Sequence, residues 1–190
     1  MYYSAKFNLC FFHTPKTGGT SFREWLKEGI SDLELVINKR YHETLSETAK
    51  VFKDFDNTRI VTILRNPFDL VVSTYFYWRK FPKDYRNERV QMAHKSEFND
   101  FVKWFVVNRD NYKTFLEVDG KIPVNIRFIR LENLIEESQE VFDGLGMNLD
   151  ASKIKHKNKS KHKPSSCYFT SETITLIKNR YRWVFDTGFY

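Results

Sequence analysis

Cysteine is nearly absent: the 190 residues hold two, Cys10 and Cys167. Two cysteines build no disulfide framework, and Cys10 lies in an apolar run, where a buried free thiol is common. A reducing, cytoplasmic compartment is expected. Seven glycines and five prolines are too few for a collagen-like or low-complexity chain. No apolar run approaches the ~20 residues of a membrane span. Met1 to Phe7 lack a basic segment followed by an apolar one, so no secretory signal is visible. Acidic residues are outnumbered, 24 Asp and Glu against 31 Lys and Arg, for a net charge of +7. That balance points to an anionic partner without saying which. Aromatics are what the chain has in excess: 17%, with 18 Phe and 10 Tyr. Such a chain is not disordered, and its length suits one domain, residues 1–190, with a sizeable core.

The first apolar run, Phe7 to Phe12, suits a buried strand. His13-Thr14-Pro15-Lys16-Thr17-Gly18-Gly19-Thr20-Ser21 follows, and from Ser21 a helix is expected with Phe22, Trp25 and Leu26 on one face. Arg59 to Leu64 is a second buried strand. Asn66 is a favoured N-cap and Pro67 a favoured first helical residue, so a helix should start there, with Leu70, Val71, Thr74, Tyr75 and Trp78 as its apolar stripe. A helix over Ser46 to Phe55 is expected to bury Val51, Phe52 and Phe55. Phe81 to Ser96 reads as a polar surface excursion and Phe98 to Val107 as an apolar helix. Val124 to Ile129 is a third strand, and Leu131 to Phe142 a helix ending at Gly144 or Gly146. Thr170 caps a last helix carrying Ile174, Ile177, Tyr181 and Val184. Strands alternating with helices predict an α/β fold with a central parallel β-sheet, and ligands in such sheets bind beyond the carboxyl ends of the strands.

Both Gly/Pro-rich junctions lie at strand ends. In Pro15-Lys16-Thr17-Gly18-Gly19-Thr20-Ser21 the glycines let backbone N–H groups approach an anion closely, and the next helix turns its positive end toward it. Lys16 adds a charge, and Thr20 and Ser21 add hydroxyls. Lys precedes the glycines, so this is not the P-loop pattern of the NTPases. At the second junction Arg65 closes a buried strand, an odd place for an unpartnered charge and a good one for bidentate phosphate contact. Ser73, on the following helix, can add a hydroxyl.

Together the two junctions resemble a known family. His13 to Ser21 resembles the 5′-phosphosulfate loop of the sulfotransferases that use 3′-phosphoadenosine-5′-phosphosulfate (PAPS). Arg65-Asn66-Pro67 with Ser73 and Tyr75 looks like their 3′-phosphate motif. Phe128 to Leu134 is similar to a segment further along the family, and Tyr168 to Tyr190 to the ending of its glycan-type branch. The resemblance implies a nucleotide-kinase-like, P-loop-type, three-layer architecture. It implies transfer of the sulfuryl group of PAPS to a hydroxyl or amine, leaving adenosine 3′,5′-bisphosphate (PAP), with no metal required. Lys16, the loop amides and Thr20 would stabilise the leaving phosphate as it gains charge, while Arg65 and Ser73 hold the 3′-phosphate.

In the glycan-type enzymes a His or Glu on the segment after the first helix often serves as base. Here His42 and Glu43 compete, and His42 is preferred because an unperturbed pKa of ~6.5 suits proton abstraction near neutrality. Ser152 to Lys163 carries Lys at every second position. It is expected to be a mobile basic loop at about 152–166, and Asn158, Ser160 and Lys161 resemble the family element that closes over the 3′-phosphate. The acceptor stays open among a polysaccharide, a lipid-linked sugar, a small metabolite and a tyrosine. Lys39-Arg40 and the lysine run point toward an anionic saccharide. The chain is short and shows neither anchor nor signal, so a soluble bacterial or viral enzyme is expected rather than a Golgi one. A kinase of the same fold should carry Lys after the glycines and an acidic magnesium site, and neither is found. A nucleic-acid binder would explain the charge but not two phosphate motifs at strand ends, so no nucleic-acid partner is expected.

Overall fold

The computed structural model describes residues 1–36, 44–50, 52, 54–155 and 162–190. The chain divides into two compact units, each made of two stretches: Met1–Arg65 with Tyr112–Lys157, and Asn66–Asn111 with Asn158–Tyr190.

The first unit holds β1 (Tyr2–Ser4), β2 (Leu9–Phe12), α1 (Gly19–Gly29), β3 (Glu34–Leu35), α2 (Leu45–Ala49) and β4 (Arg59–Leu64). The second begins with α3 (Pro67–Trp78), α4 (Glu88–Lys95) and α5 (Phe98–Asn108). The chain then returns to the first for α6 (Tyr112–Leu116), β5 (Ile126–Arg130) and α7 (Leu134–Gly144), and ends in the second with α8 (Ser171–Arg180) and α9 (Arg182–Asp186).

The strands form one sheet in the order β3-β1-β2-β4-β5. β2, β4 and β5 are parallel, with Phe11 opposite Val61 and Ile63 opposite Ile129. This is the expected parallel sheet: β2 and β4 carry the continuous apolar runs that strands covered on both faces require, and β5, at the edge, exposes Arg127. β1 and β3 extend it antiparallel at one edge, through a short N-terminal segment whose polar, aromatic composition carries no strand signal. On one face, Leu9, Phe11, Val61, Ile63 and Ile129 meet Phe22, Trp25 and Leu26 of α1 and Leu134 and Phe142 of α7. Trp25 stands edge-on to Phe142 at 5.2 Å, and its Nε1 donates to the Asp150 carbonyl at 2.9 Å. Burying a side chain such as Phe22 stabilises the fold by ~1.5–3 kcal/mol.

In the second unit all assigned elements are helices, and their core is aromatic. Tyr75 packs on Phe98 and Phe101 at 5.3 and 5.0 Å, and Phe98 on Phe169 at 5.1 Å. Asn99 Oδ1 accepts from the Thr170 amide and the Thr173 hydroxyl, and its amide donates to the Tyr168 carbonyl. A reciprocal Thr170–Thr173 cap opens α8.

Four expectations need correction. The helix foreseen over Ser46 to Phe55 stops at Ala49; Phe52 instead packs edge-on against Tyr3 at 4.8 Å, Phe55 opens a 3-10 turn, and Val51 lies outside the described residues. The excursion Phe81 to Ser96 contains a helix, α4, capped by Asn87 and burying only Val90 and Ala93, too few apolar positions to reveal a period. The third strand starts at Ile126, and Val124 is fully exposed. The last helix breaks at Tyr181, which is buried with Ile177 and Val184, and Ile174 faces solvent.

Candidate functional site

The chain leaves β2 at Phe12 and enters α1 at Gly19, and everything between is held from behind. Thr14 is fully buried; its hydroxyl donates to the Ile63 carbonyl at 2.7 Å, tying the loop to β4. Thr17 is fully buried too, its hydroxyl donating to the Thr14 carbonyl at 2.9 Å. The Thr17 side chain therefore braces the loop from inside.

Two loop residues are left-handed: Lys16 at φ 65° and Gly18 at φ 78°. Glycine accepts that conformation freely, whereas a lysine there is strained. Residues of alternating hand turn successive N–H groups toward one concavity, the geometry that receives anions. Gly18 has a second constraint, because an added Cβ would lie 2.6 Å from Leu131 Cδ1, just past β5. At Gly19 a Cβ would lie 2.0 Å from the ring of His13, which is itself stacked on Phe11. α1 then begins with no side-chain cap and no acid in its first turn, so its first N–H groups and its partial positive charge are kept from a competing carboxylate. Pro15, Lys16 and Thr20 are partly exposed on this loop, and Ser21 is buried.

Arg65 follows the last residue of β4. Its guanidinium donates to the Lys16 carbonyl at 3.4 Å, and among the described residues no carboxylate pairs with it. Arg130, closing the neighbouring strand, differs: it is ion-paired with Glu137, which also accepts from the Arg130 amide at 2.6 Å. Two arginines close adjacent parallel strands, and among the described residues a carboxylate pairs with Arg130 and none with Arg65. The backbone of Arg65 is clamped by Tyr112, whose hydroxyl accepts from the Arg65 amide at 3.2 Å and donates to its carbonyl at 2.9 Å. In the second unit, Asn66 Oδ1 accepts from the Phe68 amide at 2.9 Å, Pro67 occupies the first turn, and Ser73 is buried on α3.

The model of the sulfotransferase domain family matches residues 28–145, more than half of the chain. The chain belongs to that family. The matched span begins after the Lys16 loop and takes in Arg65 and Ser73. Among solved structures, that of mouse sulfotransferase SULT7A1 complexed with PAP is similar, with a TM-score of 0.58 and 16% identity over 94% of this chain and 85% of that one. At that identity the likeness speaks for the fold, a mixed sheet with flanking helices. No curated protein matches the chain in sequence.

In this sulfotransferase the structure brings together Pro15 to Ser21 and Arg65. Its donor set of backbone N–H groups, an ammonium, a guanidinium and hydroxyls fits the oxygens of a phosphate or sulfate. Ser73 belongs to the second unit. His42 and Glu43 lie in 37–43, and Asn158, Ser160 and Lys161 in 156–161, both outside the described residues. The sequence pattern shows neither the volume that His13 fills at Gly19 nor the clamp of Tyr112 on Arg65. A tyrosine 47 residues from Arg65 leaves no local pattern.

Proposed function

We propose that the protein moves the sulfuryl group of PAPS to a hydroxyl of a saccharide acceptor by in-line displacement, leaving PAP. The observation that carries the reading is the Lys16–Gly19 loop: a lysine held in a left-handed conformation, two glycines with no room for a Cβ, and at its edge the guanidinium of Arg65, which donates to the Lys16 carbonyl and among the described residues meets no carboxylate. A strained lysine persists only where its surroundings over-determine it, and such residues cluster at functional sites.

PAPS supplies a sulfuryl group on a leaving phosphate. Lys16, the loop amides and Thr20 stabilise the charge that develops on that phosphate, in a geometry set before reaction. The spacing of the Arg-Asn-Pro motif supports assigning the 3′-phosphate to Arg65 and Ser73, and the likeness of the 158–161 segment to the family supports adding Asn158, Ser160 and Lys161. His42 takes the acceptor proton, with Glu43 as its rival. Lys39, Arg40 and the lysine run favour an anionic saccharide.

The test is thermal denaturation without added metal. PAP should raise the melting temperature, and ADP, which lacks the 3′-phosphate, should raise it much less. Equal shifts from the two nucleotides would remove the two-phosphate reading.

A further inference from the structure

The segment joining α3 to α4 presents cations that nothing in the sulfuryl-transfer scheme uses. Residues 79–95 contain six Lys and Arg against two Asp and Glu. The guanidiniums of Arg89 and Arg109 each lie 6.0 Å from the centre of the Trp78 ring. Among the described residues neither is ion-paired. Burial and the neighbouring charge of Arg89 disfavour the charge on Arg109, the nearby carboxylates of Asp110 and Glu88 favour it, and the arginine stays protonated. With neither guanidinium held in an ion pair among the described residues, the N–H donors of both can turn to the oxygens of an anion.

From Tyr77, the residue before Trp78 on α3, a row of aromatics continues along the chain. Tyr77 meets Phe81 at 5.4 Å and Phe81 meets Tyr85 at 5.3 Å, with Tyr77 and Tyr85 among the most exposed large side chains of the unit. The row is fixed in place. His94 Nε2 donates to the Phe81 carbonyl at 2.9 Å, Gln91 donates to the carbonyls of Lys83 and Tyr85, and Asn87 caps α4. A surface ordered before binding loses less entropy when it binds.

From this arrangement we infer that Trp78, Arg89, Arg109, Tyr77, Phe81 and Tyr85 form a docking surface for an acidic polysaccharide, one bearing sulfate or carboxylate groups. The inference rests on the saccharide reading above and adds a second place on the protein where the acceptor chain is held. Paired guanidiniums match sulfate and carboxylate oxygens bidentately. The exposed tyrosines, with the partly buried Phe81 between them, offer the apolar side of a sugar ring a platform, with hydroxyls at the rim. Single-stranded nucleic acid fits less well. Its bases stack one by one on open aromatic faces, and here neighbouring rings already touch one another.

Binding is measured directly on the full chain at fixed salt, with low-molecular-weight dextran sulfate, uncharged dextran, a single-stranded oligonucleotide and PAP as separate probes. The protein should bind dextran sulfate, and uncharged dextran far more weakly. Arg89→Ala with Arg109→Ala should weaken dextran sulfate by about tenfold, as loss of two charge-assisted contacts does, and leave PAP affinity unchanged. Tyr85→Ser, at an exposed position that does not threaten folding, should weaken it by about threefold, the lower end of an aromatic contact's worth. Dextran sulfate affinity unchanged in both variants overturns the proposal, and so does an oligonucleotide that binds more tightly than dextran sulfate and is lost with the arginines. Arginine-dependent dextran sulfate binding in a protein that does not bind PAP supports the surface and overturns the donor reading alone.

Discussion

Gly19 and His13 occupy one volume between them. The imidazole lies where a Cβ at position 19 would be, at 2.0 Å, and its stacking on Phe11 closes the way back. Gly19→Ala should therefore cost ~1–3 kcal/mol, the usual cost of overpacking. Adding His13→Ala should recover much of that loss in denaturant melts; a double variant no more stable than Gly19→Ala would mean the collision is not the cause. Lys16 makes the complementary case. Its φ of 65° costs ~1–2 kcal/mol, which glycine removes at an entropic cost of ~0.5–1 kcal/mol. Lys16→Gly should thus fold with nearly wild-type stability, and both Lys16→Gly and Lys16→Ala should lose ~10²–10³ in turnover, as when one donor to a developing charge is deleted. Retained turnover in Lys16→Gly alone would show that the loop's shape, not the ammonium, does the chemistry.

At the scale of elements, legibility followed locality. β4 and the start of α3 were readable because their signals are contiguous: five buried residues in a row, then Asn66 capping Phe68 with Pro67 behind it. α1 was readable from Phe22, Trp25 and Leu26. α4 was not, since two buried residues in eight set no period, and α2 was overextended because Phe52 and Phe55 are apolar for reasons outside that helix. The Lys16 loop could be recognised as a phosphate cradle, yet what it is held against, Ile63 of β4 behind Thr14 and Leu131 just past β5 behind Gly18, lies far along the chain. The junction of β4 with α3 shows what such a hidden part contributes. Tyr112, at the start of α6, satisfies both backbone groups of Arg65 with one hydroxyl. Tyr112→Phe keeps the ring and strands both groups, so stability should fall by ~1–3 kcal/mol, the cost of unpaired buried polar groups. PAP affinity should fall with it, because Arg65 loses its fixed backbone. Calorimetry showing full PAP affinity in Tyr112→Phe would separate the clamp from the site.

On the scale of the whole molecule, the two units carry different titrating groups, and acid should find the first one. No described helix is long and apolar enough to cross a membrane. On the alkaline side the shifted groups are shared: burial pushes the Cys10 thiol of the first unit up to about 12 and raises Tyr181 of the second, while Glu172 raises Lys103 there. On the acid side the two lowered carboxyls among the described residues, Asp32 and Asp150, belong to the first unit. Asp32 is lowered by the Lys6 amide, which donates to it at 2.8 Å, and by the buried Ser4 hydroxyl at 2.7 Å; the Ser152 hydroxyl and amide lower Asp150. A carboxyl whose folded pKa is depressed binds fewer protons folded than unfolded within the shifted window. Its contribution is present above the ordinary value of 3.8 and is lost as pH falls through the lower, folded one. Hydrogen-exchange protection in β1 and α1 should therefore decline on acidification before protection in α3 and α5. Asp32→Asn should be less stable than wild type at neutral pH, and the gap should close as pH falls through the lowered, folded pKa, below which wild type is protonated too. A gap that stays constant from neutral pH into the acid range would mean the carboxylate's charge contributes nothing there and that the amide substitution disturbs the turn by its shape alone.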